Sequence, residues 1–577
     1  MTERQFNLAD LFELVVDTVP NRLALVAGDV RLTYAELDAR ANRFGHHLVD
    51  TGLAPGAHVG ILARNRSEWV EAMIGCYKAR TVPINLNFRY VAPELRYVVD
   101  NADLEVLVYE RELAPLVAES CAGEGIRALQ LLVVEDGTPP TALDPVVAAT
   151  GTVPIDHEEA LASASDRRGF GSRSPDDLYI LYTGGTTGMP KGVMWRQEDI
   201  FFAAMGGGGW GAEPIATADE LAGRLDPDPT GRIPMLVVGP LMHGNAQWAM
   251  WNAFMMAGTA VLYTEHRFDP DRLLRLIGDE GVVSTALVGD AMARPLSETL
   301  AAAPPGTYDT STLMVIGSGG AMLSATVKAD LAAQVPGAMI MDRFGSSEAG
   351  AQGAVEVGAS GPKFVMSEDT AVLDDDLAPL APGDGGIGRL ARTGRIPLGY
   401  YKDEAKTAAT FPTDSRGVRW SVPGDLASIG PDGAITVHGR GSASINSGGE
   451  KIFPEEVEAA VKTHPDVYDA IVVGLPDERF GERVAAVVRP RDGATRSPNR
   501  SSGRPTTMAS YTSGCVLTAA STSSGKIFSP PELIDAEPRP CTVITPSSPI
   551  EARSPGTDQR TPSGSVGKVA AVLASSL

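Results

Sequence analysis

Tyr182-Thr-Gly-Gly-Thr-Thr-Gly-Met-Pro-Lys-Gly192 lies between two apolar runs, Leu178 to Tyr182 before it and Gly192 to Trp195 after it. Both flanks read as strands, with the string as a Gly-rich loop between them. Its glycines leave backbone N–H groups free to turn toward an anion, Thr183, Thr186 and Thr187 add hydroxyl donors, and Lys191 supplies a point charge. That combination predicts a phosphate-holding loop. It is not a Walker A loop, which needs glycine immediately before lysine and a helix after it. Here Met189-Pro190 precedes Lys191 and a strand follows. A bare Gly/Thr cluster would equally suit a surface loop; the full string favours phosphate.

Outward from this loop, short apolar runs alternate with helical patterns. His58 to Leu62, Leu104 to Tyr109 and Leu129 to Val134 read as strands, and Ser67 to Arg80 and Asp271 to Glu280 as helices. Thr33-Tyr-Ala-Glu36 has the form of a capping box, and Leu37, Ala41, Phe44 and Leu48 then recur at helical spacing until Gly52. The alternation predicts a large α/β body, and no repeat period is visible. At 577 residues the chain is long enough for several hundred residues of core. Its 43% hydrophobic and 21% charged residues place it among folded globular proteins.

A net charge of -23 repels polyanions, which argues against nonspecific nucleic-acid binding and leaves anions to local devices. The first residues interleave acids with apolar positions, unlike a secretory signal, and no run of 18 apolar residues occurs, so no membrane span is expected. Cys76, Cys121, Cys515 and Cys541 lack metal-ligand spacing. A reduced cytoplasmic setting is the expectation.

Near Gly439-Arg440-Gly441-Ser442 the chain turns small and polar, and a new unit is expected to begin. Pro454-Glu455-Glu456 opens a helix with proline in the first turn and acids at its positive end, while Asp469 to Gly474 and Arg483 to Val488 read as strands. Beyond Pro490, Ser, Thr, Pro and Gly supply 43 of the last 87 residues. Such a stretch buries too little apolar surface to offset its ordering entropy. The expected division is 1–439 as the main body, 440–490 as the start of a small α+β domain, and 491–577 as a disordered tail.

Several strings together resemble the AMP-forming adenylating enzymes, which include acyl-CoA synthetases, aryl-CoA ligases, luciferase and peptide-synthetase adenylation domains. Besides the loop, Asp342-Arg-Phe-Gly-Ser-Ser-Glu348 resembles the second nucleotide motif, and Trp420-Ser-Val-Pro-Gly-Asp425 the ribose motif. His438-Gly-Arg440 and Ser447-Gly-Gly-Glu-Lys-Ile452 resemble the hinge region. The likeness covers roughly residues 8 to 490. Asn85-Leu-Asn-Phe-Arg-Tyr90, Gly289-Asp-Ala-Met-Ala-Arg-Pro295 and Arg440 to Lys451 look most like an actinobacterial subgroup acting on long-chain fatty acids and steroid side-chain acids.

The resemblance implies a large multi-sheet adenylation body with a small, mobile C-terminal domain, truncated or disordered at its end in this chain. It implies ATP, Mg²⁺ and coenzyme A as ligands, an apolar carboxylic acid as substrate, and AMP and pyrophosphate as products. A homodimer is left open. Adenylation builds negative charge on phosphate oxygens, which cations and N–H donors must meet. Lys191, with Thr183, Gly184, Gly185, Thr186, Thr187 and Gly188, is the implied clamp, and Glu348 the implied magnesium carboxylate, since Mg²⁺ takes few protein oxygens.

By the same resemblance Asp342, Arg343, Phe344, Gly345, Ser346 and Ser347 flank the nucleotide. Asp425 binds ribose, Arg440 reaches ribose or the α-phosphate, and Ser318-Gly319-Gly320 lets adenine approach backbone. Gly448, Gly449 and Lys451 favour CoA as acceptor. His243, Trp248 and Gly289 border the acid; Met250, Trp251, Met255 and Met256 suit either an acid tunnel or ordinary core. Gly206 to Gly209 reads as a mobile entrance loop, and Asp374-Asp-Asp376 as a solvated turn.

Two departures stand out. Ser442 occupies the hinge position where many relatives carry Asp or Lys. The closing lysine expected late in the small domain has two strings to match, Ser523-Ser-Gly-Lys526 and Ser563-Gly-Ser-Val-Gly-Lys568, neither with the usual strand and helix before it, and Lys526 is the candidate carried forward. Three classes therefore remain: an acid–CoA ligase, an adenylating enzyme with another acceptor or impaired by its tail, and a noncatalytic nucleotide-binding homologue.

Overall fold

The computed structural model describes residues 6–122, 129–185, 188–208, 213–226, 228, 231–321, 323–356, 363–366, 369–441, 444–447, 450–462, 464, 467–477, 481–491 and 515–518. Among these residues the body is built on two large sheets. The eight-stranded sheet runs Gly399–Tyr400, Gly188–Arg196, Leu178–Gly185, Val82–Asn85, His58–Leu62, Leu104–Glu110, Gln130–Val134 and Ile155–Asp156. From Leu178–Gly185 to Ile155–Asp156 its neighbours are parallel, and the hairpin edge is antiparallel. The thirteen-stranded sheet has a parallel centre, with Val315–Gly319 between Ser284–Leu287 and Met339–Ser346, and an antiparallel wing reaching Ile435–Arg440.

Parallel strands buried on both faces split their side chains between two cores. Strand Leu23–Ala27 does so: Leu25 and Ala27 face the central core between the sheets, while Val26 faces the outer one. The central core holds helices Leu8–Thr18, Tyr34–Asp50, Ser67–Lys78 and Gly244–Met255, with Phe12, Tyr34, Trp251 and Phe254 in edge contact. Each such fully buried large side chain contributes roughly 1.5–3 kcal/mol. A third layer covers each sheet's outer face.

Local signals translate closely. Thr33 and Glu36 form the reciprocal capping box, and the helix runs Tyr34–Asp50. The strand Val315–Gly319 runs on through Gly317, Ser318 and Gly319. These three have little strand preference, but neighbours on both sides of the sheet hold them in register.

The last strand of the large sheet ends at Arg440, and a smaller sheet begins at Ile445–Ser447, joined by Glu450–Ile452, Val467–Asp477 and Gly481–Pro490 around helix Pro454–Lys462. No element was expected past residue 490, yet Cys515–Thr518 pairs antiparallel with Gly481–Pro490. A four-residue apolar and β-branched run finds an open strand edge there. The small sheet meets the body where Arg491 pairs with Glu298 at 2.8 Å and the Arg294 guanidinium lies over the Tyr468 ring. No helix among the described residues is long and apolar enough to cross a membrane.

Candidate functional site

The loop hairpin folds as two antiparallel strands, Leu178–Gly185 and Gly188–Arg196, with Thr183 opposite Lys191 and Gly185 opposite Gly188. Its tip, Thr186 and Thr187, lies outside the described residues. Asn85 fixes the hairpin from behind: its carboxamide accepts from Tyr182 N at 2.8 Å and donates to Tyr182 O at 2.8 Å and to Met242 O at 2.6 Å. One buried side chain thus ties the loop strand to the turn carrying His243.

Lys191 Nζ lies 2.8 Å from Asp403 Oδ2 and 5.6 Å above the Tyr400 ring. Tyr400 in turn donates its hydroxyl to Glu348 Oε1 at 2.9 Å. The candidate clamp and the candidate metal carboxylate, from different large sheets, are therefore joined through one aromatic side chain. Ser421 Oγ donates to Glu348 O at 2.6 Å, and Trp195 Nε1 to Ser347 O at 3.0 Å, so the backbone of this turn is held from two sides. A half-exposed carboxylate with one oxygen engaged by a hydroxyl suits an oxygen-seeking Mg²⁺ that keeps phosphate and water as its other ligands.

The Asp342 to Ser346 strand crosses beside Ser318-Gly319, with Ser318 opposite Asp342 and Gly319 opposite Arg343. Burial pushes the Asp342 carboxyl up to about 6, with Lys328 pulling it down and Asp290 pushing it further up. Burial lowers Arg343, and Phe344 packs on the core of the antiparallel wing. Gly345 sits where a Cβ would lie 2.3 Å from Gly350 O, so the turn into Glu348 excludes any side chain there. Gly320 has φ +84 and open space where a Cβ would be, as close approach of a flat ligand to backbone requires. Ser318 is different: it is 3% exposed, and its hydroxyl accepts from Gly289 N at 3.0 Å. That bond joins the strand end to the start of helix Gly289–Ala302.

Asp425 is 7% exposed, follows Gly424 at φ +109, and stands opposite Arg440 in the strand pairing. His243 immediately precedes helix Gly244–Met255. It is open to solvent yet ringed closely enough that desolvation, and then Arg89, lower its pKa, which is the situation of a group lining a cleft. Trp248 on that helix is partly buried, while Met250, Trp251 and Met255 are at most 2% exposed and belong to the core. Lys451 lies on strand Glu450–Ile452. Ser442, Gly448, Gly449 and Lys526 lie outside the described residues, as does Gly209 of the tetraglycine.

Tyr400 and Asp403 escaped the sequence reading, as did Gln352, which is 1% exposed and whose amide has no hydrogen-bond partner among the described residues. Only the turn-and-cap pattern of Lys402-Asp403-Glu404 marks Asp403 locally, and it speaks of a helix start rather than of a lysine partner.

Residues 12–401 match the AMP-binding enzyme family, and residues 456–506 match the AMP-binding enzyme C-terminal domain. The chain belongs to the AMP-binding enzyme family. It is 47% identical to the 3-oxocholest-4-en-26-oate–CoA ligase of Rhodococcus rhodochrous, covering 84% of this chain and 87% of that protein. It is also 47% identical to the medium/long-chain-fatty-acid–CoA/3-oxocholest-4-en-26-oate–CoA ligase of Mycolicibacterium smegmatis, covering 84% and 88%. Among solved structures, the anthranilate CoA ligase AuaEII with anthranoyl-AMP superposes with a TM-score of 0.70 at 20% identity, covering 84% of this chain and 87% of that one. That likeness confirms the fold of this AMP-binding enzyme.

Proposed function

We propose that this chain uses ATP to activate an apolar carboxylic acid, a long-chain fatty acid or a steroid side-chain acid. The acid first becomes an acyl-adenylate with loss of pyrophosphate, then a coenzyme A thioester with loss of AMP. The observation that carries this reading is the 47% identity, over 84% of the chain, to a ligase named for a steroid acid and coenzyme A. The geometry supports it: Lys191 and Glu348 converge through Tyr400 at the mouth of the loop hairpin.

In this reading the acid's carboxylate oxygen attacks the α-phosphorus of ATP and the bond to the pyrophosphate oxygen breaks. Lys191 and the hairpin N–H groups meet charge gathering on the phosphates, Asp425 holds the ribose, Arg440 serves the ribose or the α-phosphate, and Gly319-Gly320 accepts the base. Glu348 would hold Mg²⁺, which supplies positive charge to the phosphate oxygens. His243 and Trp248 border the acid, and the string holding Gly448, Gly449 and Lys451 favours coenzyme A as acceptor. The setting is cytoplasmic, and a homodimer extends the reading.

A second reading, impairment of the adenylation half-reaction, is favoured by one observation: the C-terminal family match stops at residue 506, before both Lys526 and Lys568. Pyrophosphate exchange across a panel of acids, followed by thioester formation, tests both. Acid-dependent exchange with AMP as product supports adenylation, and ADP as product overturns it. Equal kcat/KM for acetate and for an acid of eight or more carbons overturns the apolar substrate, since each buried CH₂ is worth about 0.8 kcal/mol. Exchange without thioester formation removes coenzyme A as acceptor.

A further inference from the structure

Residues 399 to 407, Gly-Tyr-Tyr-Lys-Asp-Glu-Ala-Lys-Thr, form a small rigid platform against the loop hairpin. Gly399 and Tyr400 pair with Met194 and Val193, three and two residues past Lys191, and Tyr401 N donates to Gly192 O at 2.8 Å. Tyr400 N donates to Thr407 Oγ1 at 2.9 Å, and a Cβ on Gly399 would lie 2.5 Å from Thr407 Cγ2, so strand and helix are locked together. Lys402 takes φ +54, a conformation few non-glycine residues adopt. Tertiary bonds sustain it: Lys402 Nζ meets Asp103 at 2.6 Å, and the Tyr401 hydroxyl donates to the same carboxylate at 2.8 Å. Backbone in a sparsely populated region, held by its surroundings, tends to collect at functional sites.

This platform sends two groups into the candidate site. Asp403 Oδ1 caps helix Glu404–Thr410 by accepting from Lys406 N at 2.9 Å, which leaves Oδ2 aimed at Lys191. The Tyr400 hydroxyl ends on Glu348. An ammonium has three donors, and Asp403 takes one, leaving two for phosphate oxygens. A carboxylate whose one oxygen accepts a hydroxyl proton keeps a fixed face for a metal ion. Both contacts hold a flexible side chain in working position before any ligand arrives.

We propose that Asp403 and Tyr400 are positioning residues for nucleotide binding, Asp403 acting through Lys191 and Tyr400 through Glu348. This rests on the reading of Lys191 and Glu348 given above. It also makes the two residues separable: Asp403 serves phosphate whether or not the metal is present, whereas Tyr400 serves only the metal-dependent part.

The test is ATP binding by calorimetry on the full chain, with and without Mg²⁺, for wild type, Asp403→Asn and Tyr400→Phe. Asparagine retains the helix cap while losing the charge, and phenylalanine retains the packing while losing the hydroxyl. Unchanged melting temperatures would show that both variants keep the fold. Asp403→Asn is expected to weaken ATP binding about tenfold in both conditions. Tyr400→Phe is expected to weaken it about tenfold with Mg²⁺ and to leave Mg²⁺-free binding as in wild type. ATP binding by Asp403→Asn as tight as wild type, or tighter, overturns the first half, because the carboxylate would then compete with phosphate. Wild-type Mg²⁺ dependence in Tyr400→Phe overturns the second. Failure of the broader reading is distinguishable: Lys191→Ala would then leave ATP affinity untouched in the same assay.

Discussion

Lys78 and Lys191 each place an ammonium within hydrogen-bonding distance of carboxylate, in opposite surroundings. Lys78 ends helix Ser67–Lys78 with no exposed surface and meets Glu13 and Asp38, each at 2.6 Å. Arg173 reaches Glu13 at 2.9 Å and Arg168 reaches Asp38 at 3.0 Å, so every charge in the cluster has partners. Lys191 has 36% of its side chain exposed and pairs with Asp403, itself 32% exposed. A fully buried lysine whose donors are answered by two carboxylates holds helices together and has no capacity for a ligand. A half-open lysine with spare donors contributes little to stability and is free to meet phosphate. Surroundings, rather than residue type, divide structural from functional charge.

The sharpest way to break this division is Lys78→Met. It leaves buried carboxylates short of a cation and should cost about 3–5 kcal/mol of stability, while activity per folded molecule stays near wild type. Denaturant unfolding with active-site titration checks it; an equal loss of specific activity would merge the two regions. Lys191→Ala should behave in reverse, losing about 10²–10³ in kcat with the melting temperature nearly unchanged. Pyrophosphate exchange beside a thermal melt measures both.

Acid should act on the structural cluster first. Burial alone would raise Glu13, but Lys78 and then Arg173 pull its pKa from 4.5 down to about 2. A carboxylate depressed in the folded state stabilises fully above its unfolded value. The contribution, up to about 3 kcal/mol, is therefore lost as pH falls from about 4.5 through 2. Unfolding free energies across pH 2 to 6 should show this slope in wild type, and a smaller one in Lys78→Met. The smallest effect belongs to the open pair: Asp403→Asn should change stability by less than about 1 kcal/mol, as exposed ion pairs do. A larger change in urea unfolding would make Asp403 structural.

What the sequence revealed was what depends on neighbours in the chain. The capping box of Thr33 and Glu36, the strand His58–Leu62 and the two strands flanking the Lys191 loop all arise from local patterns. Asp403 and Tyr400 could not be read this way, because their partners Lys191 and Glu348 lie 212 and 52 positions away. Their meeting is made by one two-residue strand pairing that has no local signature. Ser318 was legible as a site-edge residue, but not its bond to Gly289, which needs two neighbouring strand ends of the sheet to be known. Asn85 was singled out as part of a subgroup string, and only the fold shows it bridging Tyr182 and Met242.

The pairing of Leu23–Ala27 with Thr259–Leu262 carries a consequence for how the chain is made. Arg22 donates to Ala257 O across 235 positions, and the Tyr34 hydroxyl to Gly258 O at 2.6 Å. The first strand thus has only its hairpin partner Val30–Thr33 beside it until residues near 262 have left the ribosome. At about 5–20 residues per second, that wait is roughly 12–47 s, during which Phe12 and Tyr34 lack their ring contacts with Trp251 and Phe254. Protease digestion of ribosome-bound truncated chains should find Leu8–Thr18 cleavable before that point and protected after it. A chain of this topology depends in its first minute on whatever shields nascent apolar surface, and the requirement ends abruptly once the central strands have emerged.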